Sequence, residues 1–133
     1  MDKMPEKKRI VIVDDDKIAL ESLKRLLDLS GFETQPCIDA KDAINIIKSF
    51  KPQVILLDLI MPGFGGLEVC EMLNKDKETQ AIPVIVVSSL GRESDIKKAY
   101  KMGVIGYVTK PYDIKKLIGQ INKAIADKEE RNA

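Results

Sequence analysis

The sequence predicts an α/β domain, a doubly wound parallel sheet with helices packed on both faces. Short apolar runs alternate five times with segments of helical period, and alternation of this kind builds parallel strands joined by right-handed crossovers. Three runs, Ile10-Val11-Ile12-Val13, Val54-Ile55-Leu56-Leu57 and Val84-Ile85-Val86-Val87, are apolar throughout, as strands buried on both faces must be. They end on groups able to do chemistry: Asp14-Asp15-Asp16, Asp58 and Ser88-Ser89. A fourth run, Ile105-Gly106-Tyr107-Val108-Thr109, leads into Lys110-Pro111. In an open α/β sheet the carboxyl ends of the strands form the rim where ligands bind.

Each element has its own signal. The first helix is expected over residues 17 to 29, with Ile18, Leu23, Leu26 and Leu27 on one stripe and Gly31 as its stop. Residues 32 to 37 form a second, less apolar strand, placed towards an edge. Asp39 caps a helix over residues 40 to 50 whose Ala43, Ile44 and Ile47 face the sheet, and Lys51-Pro52 ends it. The loop Met61-Pro62-Gly63-Phe64-Gly65-Gly66 leads into a helix of about ten residues burying Leu67, Val69 or Cys70, and Leu73. Pro83 opens the fourth strand, where a missing N–H is tolerated. The least apolar helix spans 92 to 102 and stops at Gly103; the last spans 113 to 127, with Ile114, Leu117, Ile118, Ile121 and Ile125 at helical spacing.

Composition narrows the function. The 133 residues fit one domain with its own core, and 44% hydrophobic with 32% charged residues are globular values. No leader-like or membrane-spanning apolar run is present, so the expected location is the cytoplasm. Cys37 and Cys70 lack metal-type spacing and read as reduced structural thiols. The chain has no histidine, which removes Ser-His catalysis, imidazole metal ligands and histidine phosphotransfer together. Residues 10 to 91 carry a net charge of −5 and residues 92 to 128 a net of +5. The basic residues of the last third lie on helices without interleaved aromatics, which predicts a solvated face or an acidic protein partner and no direct nucleic-acid binding.

The chemistry rests on carboxylates. Asp14 and Asp15 after the first strand and Asp58 after the third repel one another unless a hard divalent cation joins them, and Mg2+ suits oxygen ligands that share it with phosphate. An isolated acidic triplet is more often a helix start, a role that suits Asp16, so a metal at Asp14 and Asp15 depends on Asp58. An aspartate can attack phosphorus to give an aspartyl phosphate. Lys110 and the Ser88 hydroxyl then suit the remaining phosphoryl oxygens.

The segments Val11-Ile12-Val13-Asp14-Asp15-Asp16, Leu56-Leu57-Asp58-Leu59-Ile60-Met61-Pro62, Ser88-Ser89 and Gly106-Tyr107-Val108-Thr109-Lys110-Pro111 resemble, in order and spacing, the receiver domains of two-component response regulators. The resemblance covers residues 7 to 127 and leaves polar tails at 1 to 6 and 128 to 133. It implies a flavodoxin-like (βα)5 fold with strand order 2-1-3-4-5. It also implies that Asp58 accepts a phosphoryl group from the phosphohistidine of a sensor histidine kinase or histidine phosphotransfer protein, or from small phosphodonors. Mg2+ is assigned by it to Asp15, Asp58 and the Ile60 carbonyl, with Asp14 acting through water. Ser88 and Lys110 would register the phosphate and Tyr107 would swing inward on activation. The fourth helix, fifth strand and last helix would face an output protein, with room for a phosphorylation-dependent dimer. One departure stands out: Phe64-Gly65-Gly66 replaces the family's usual Met-Asp-Gly, so an acid beside the site is missing. On this reading the chain is a stand-alone switch and not an enzyme of metabolic turnover. The alternative is a phosphatase of the haloacid dehalogenase type using Asp14 and Asp16, which leaves Asp58 unexplained.

Overall fold

The computed structural model describes residues 6–61, 63 and 65–132; Pro62 and Phe64 of the turn-rich loop, residues 1–5 and residue 133 lie outside the described residues. The elements run β1 (Arg9–Val13), α1 (Lys17–Leu29), β2 (Glu33–Cys37), a single 3-10 turn (Ala40–Asp42), α2 (Ala43–Phe50), β3 (Val54–Leu57), α3 (Gly66–Lys75), β4 (Val84–Ser88), α4 (Glu93–Lys101), β5 (Gly106–Thr109) and α5 (Ile114–Arg131). The five strands form one parallel sheet in the order β2-β1-β3-β4-β5.

The alternation of side chains along the central strands makes two cores. Val11, Val13, Ile55, Leu57, Val84 and Val86 face α2, α3 and α4, meeting Ala43, Ile47, Val69, Cys70, Leu73 and Ala99. Ile10, Ile12, Val54, Leu56, Ile85 and Val87 face α1 and α5, meeting Leu20, Leu23, Leu27, Leu117, Ile121 and Ile125. Burial of both strand faces is why these runs contain no polar residue. At the β2 edge, the Glu33 amide donates to Lys8 O and the Cys37 carbonyl accepts from Asp14 N. By the two-residue alternation Pro36 therefore turns its missing N–H outward, where no ladder bond is lost and the edge is blunted.

The structure corrects several expectations. The buried stripe of α1 is Leu20, Leu23 and Leu27, while Ile18 is 81% exposed and Leu26 lies at the margin. At 100° per residue Ile18 falls opposite Leu23 and Leu27, on the solvent side of the helix. The expected helix over 40 to 50 opens with a 3-10 turn capped by Asp39, and α2 begins at Ala43. Both Val69 and Cys70 are buried in α3, whereas Leu67 is half-buried. Residues 128 to 131 continue α5 and are not a tail, since Lys128-Glu129-Glu130-Arg131 are helix formers and the Lys8 ammonium pairs with Glu129. Both thiols are free and buried, and burial pushes each up to about 11. No helix among the described residues is long and apolar enough to cross a membrane.

Candidate functional site

The strand order places a switch point between β1 and β3, since β2 lies on the far side of β1. Crevices open at the carboxyl ends of strands where the winding reverses. Asp14 and Asp58 follow the two strands flanking this one. Each is held by a last rung of the sheet: the Asp14 amide donates to Cys37 O at 3.1 Å and the Asp58 amide to Val13 O at 2.9 Å. Lys110 is fixed in the same way, its amide donating to Ser88 O at 2.8 Å. The backbone ladder thus fixes the strand ends that carry Asp14, Asp58, Ser88 and Lys110.

The side chains then converge. Lys110 Nζ donates to Asp14 Oδ2 at 2.8 Å and to Asp58 Oδ2 at 2.9 Å. Each carboxylate turns its other oxygen back to its own chain: Asp14 Oδ1 accepts from Asp16 N and Asp58 Oδ1 from Ile60 N, both at 2.9 Å. Asp14 and Asp58 are only 5% and 6% exposed. Burial raises the Asp14 carboxyl above the ordinary aspartate range, against the opposing bonds from Lys110 and Asp16. Burial also pulls on Lys110, but its bonds to Asp14 and Asp58 more than reverse this and hold the ammonium above an ordinary lysine. The lysine is thus charged at neutral pH between two buried acids.

The other expected site residues fall around this centre. Ser88, at the end of β4, is fully buried, and its hydroxyl accepts from Leu90 N at 3.3 Å. The Tyr107 hydroxyl donates to the Leu90 carbonyl. Burial and the negative charge of Asp95 raise the Tyr107 phenol, so it remains a donor. Leu90 therefore links the Ser88 hydroxyl to Tyr107 through its backbone alone, a connection that no residue type in the sequence could announce. Asp15 is exposed and takes no part in the hydrogen bonds joining Asp14, Asp58 and Lys110. Ile60, 45% exposed, contributes its amide to Asp58. Asp16 caps α1, accepting from Ile18 N and Ala19 N, and is so placed as a structural acid.

The donor chemistry fits a hard divalent cation. Asp14, Asp15 and Asp58 carry three negative charges against the one positive charge of Lys110, and all offer oxygen. Among the described residues no three acids or cysteines form a ready-made cage. This agrees with Asp15 standing outside the pair formed by Asp14 and Asp58.

A parallel α/β sheet with two buried carboxylates and a lysine at its switch point has the fold and donor set of a receiver domain. The chain belongs to the response regulator receiver domain family, whose pattern matches residues 10–122. It is 36% identical over 118 residues to Protein PilH of Pseudomonas aeruginosa, covering 89% of this chain and 98% of that protein. It is 30% identical over 127 residues to the DNA-binding response regulator MtrA of Mycolicibacterium smegmatis, covering 96% of this chain but only 54% of that relative. Among solved structures, a CheY-like receiver domain protein from Methanospirillum hungatei superposes with a TM-score of 0.87 at 25% identity, covering 95% of this chain and 99% of the other. Nothing in these relatives supports a haloacid dehalogenase-type phosphatase.

Proposed function

We propose that Asp58 is the phosphoacceptor of this receiver and that a sensor histidine kinase or histidine phosphotransfer protein is its donor. The observation that supports this most is position. Asp58 ends the middle strand of five, flanked by Asp14 on β1 and Ser88 on β4, and hydrogen-bonded to Lys110. In the transfer a carboxylate oxygen of Asp58 bonds to phosphorus, the P–N bond of the donor phosphohistidine breaks, and its electron pair leaves on the imidazole, which takes up a proton. Later attack of water on phosphorus breaks the new P–O bond and returns inorganic phosphate and the free carboxylate. Apart from these two steps on its own side chain, the domain carries a signal and turns over no metabolite.

Asp58, Asp15 and the Ile60 carbonyl would hold Mg2+, with Asp14 reached through water. When bound, the ion offsets the charge gathering on the phosphoryl oxygens. Lys110 and Ser88 take the remaining oxygens, and loss of the Ser88 and Tyr107 bonds to Leu90 would pass the change to the edge formed by α4, β5 and α5. Treatment with acetyl phosphate and Mg2+ is expected to add the mass of one phosphoryl group to the intact chain, and chelation to slow this strongly. An unchanged mass in the presence of the metal would overturn the proposal.

The output surface would be the basic edge. Ala99 of α4 and Leu117 of α5 lie in opposite cores, so Lys97, Lys98 and Lys101 on one side and Lys115 and Lys116 on the other flank strand β5 rather than forming one flat patch. Lys97 is partly answered by Glu93 at 3.2 Å. Exposed charges of this kind act within a screening length of about 8 Å and steer association more than they strengthen it. The partner we propose is an acidic protein surface or, on phosphorylation, a second copy, and not nucleic acid. Reversing Lys97 and Lys98 to Glu is expected to slow association with an acidic partner by roughly tenfold at low salt and flatten its salt dependence. Tight, salt-resistant binding of duplex DNA would overturn this part of the proposal.

A further inference from the structure

Two glycines beside the site are present for different reasons. Gly65, at φ −99° and ψ −175°, is extended, a conformation open to any residue. A Cβ there would stand 3.0 Å from Glu68 Oε2. That same oxygen accepts the Gly65 amide at 3.1 Å, so the Glu68 carboxylate fills the room that a side chain at position 65 would take. Gly66 is needed for contact: a Cβ there would meet the Asp58 carbonyl oxygen at 2.6 Å and Leu59 Cα at 2.8 Å. The first turn of α3 therefore rests directly on the backbone of Asp58 and Leu59. Its N-terminus has no side-chain cap at Gly65. The bond from Glu68 is one half of a capping box whose other half a glycine cannot supply.

We propose that Glu68 is a positioning residue for phosphoryl acceptance. Its carboxylate clasps the Gly65 amide, keeps Gly66 seated against the Asp58 backbone, and so holds the Asp58 carboxylate in line for attack. The acid missing from position 65 is replaced, for this purpose, by one that folds back from the next turn. The proposal rests on Asp58 being the phosphoacceptor, and reacting groups lose rate steeply when their placement loosens.

Four variants test it with acetyl phosphate and Mg2+ as the probe. Glu68→Ala is expected to raise hydrogen exchange at the Gly65 amide by roughly tenfold, as loss of a bond to a charged acceptor allows. It is also expected to slow phosphoryl acceptance several-fold, with little change in melting temperature, because Glu68 is exposed. Glu68→Gln, whose amide oxygen can accept the same N–H, is expected to restore most of both. Gly65→Ala, whose Cβ pushes the carboxylate by a few tenths of an ångström, is expected to fall between wild type and Glu68→Ala. Wild-type acceptance rates in Glu68→Ala and Gly65→Ala would overturn the proposal, as would a slowing that Glu68→Gln fails to rescue. Asp58→Asn runs alongside: labelling that persists there defeats the Asp58 assignment, whereas labelling lost there but unaltered in Glu68→Ala defeats only the role of Glu68.

Discussion

Asp58→Asn is expected to abolish phosphoryl acceptance while making the unphosphorylated domain more stable. The first effect follows from the nucleophile: an amide oxygen does not attack phosphorus under conditions where a carboxylate does, and deletion of a nucleophile typically lowers a rate by more than about 10^4-fold. The second follows from the charges. Two buried acids share one lysine, and Asp58 is 6% exposed. Asparagine keeps the shape but has a single acceptor oxygen for the two bonds that Asp58 accepts on separate oxygens, from Ile60 N and Lys110 Nζ; it gives up one of them and removes one of the mutually repelling charges. A gain of about 1 kcal/mol without Mg2+ is expected, the scale at which functional sites depart from their stability optimum. Intact mass after acetyl phosphate and urea unfolding with a chelator present measure the two effects on one sample. Full labelling of the variant would remove Asp58 from its role. Acceptance lost together with a marked drop in stability would instead mean that Asp58 and Lys110 form a structural ion pair whose breakage is costly.

The parts of this fold legible in the sequence were those enforced by burial on two faces. Residues 10–13, 54–57 and 84–87 could only be central strands, and because the sheet is parallel their carboxyl ends had to share a rim. Asp14, Asp58, Ser88 and Lys110 were therefore placed together before any side-chain geometry was known. What escaped was what a linear pattern does not encode. Ile18 is the exception: the 100° step already sets it opposite Leu23 and Leu27, and its apolar side chain alone does not place it on their face. The extension of α5 through Arg131 escaped because a charged segment reads equally as a tail or as the solvent side of a helix. The link through Leu90 joins two side-chain hydroxyls by that residue's backbone N–H and C=O, and the clasp by Glu68 depends on an absent side chain at Gly65. The departure at Gly65 was visible as a lost acid; its meaning required seeing which atom takes the vacated room.

Lys110→Ala is expected to separate three properties that the wild type combines: stability, phosphorylation and signalling. In the folded chain Lys110 is the cation bonded to both buried carboxylates. Removing it leaves Asp14 and Asp58 facing each other without compensation, at a cost of roughly 2 to 4 kcal/mol at pH 7 when no metal is present. Protonation limits that cost. Asp14 is already raised by burial, and without the lowering influence of Lys110 it rises further. A carboxyl whose folded value exceeds its unfolded one contributes stability that is full below the unfolded value and is lost as pH rises through the folded value. The deficit of the variant relative to wild type should therefore shrink on going from pH 7 to pH 5, and Mg2+ should relieve it at pH 7 by supplying the missing positive charge. Asp58 remains a carboxylate, so much of the phosphoryl acceptance should persist. Signalling should not, because the contact of Lys110 with a phosphoryl oxygen exists in only one of the two states and so can shift their populations. Urea unfolding at both pH values with and without Mg2+, with amide shifts of Tyr107 and α4 before and after phosphorylation, resolves all three. A deficit that grows at pH 5 would contradict the charge argument, and amide shifts that move as far in the variant as in wild type would show that the lysine does not couple the phosphoryl group to the α4-β5-α5 edge.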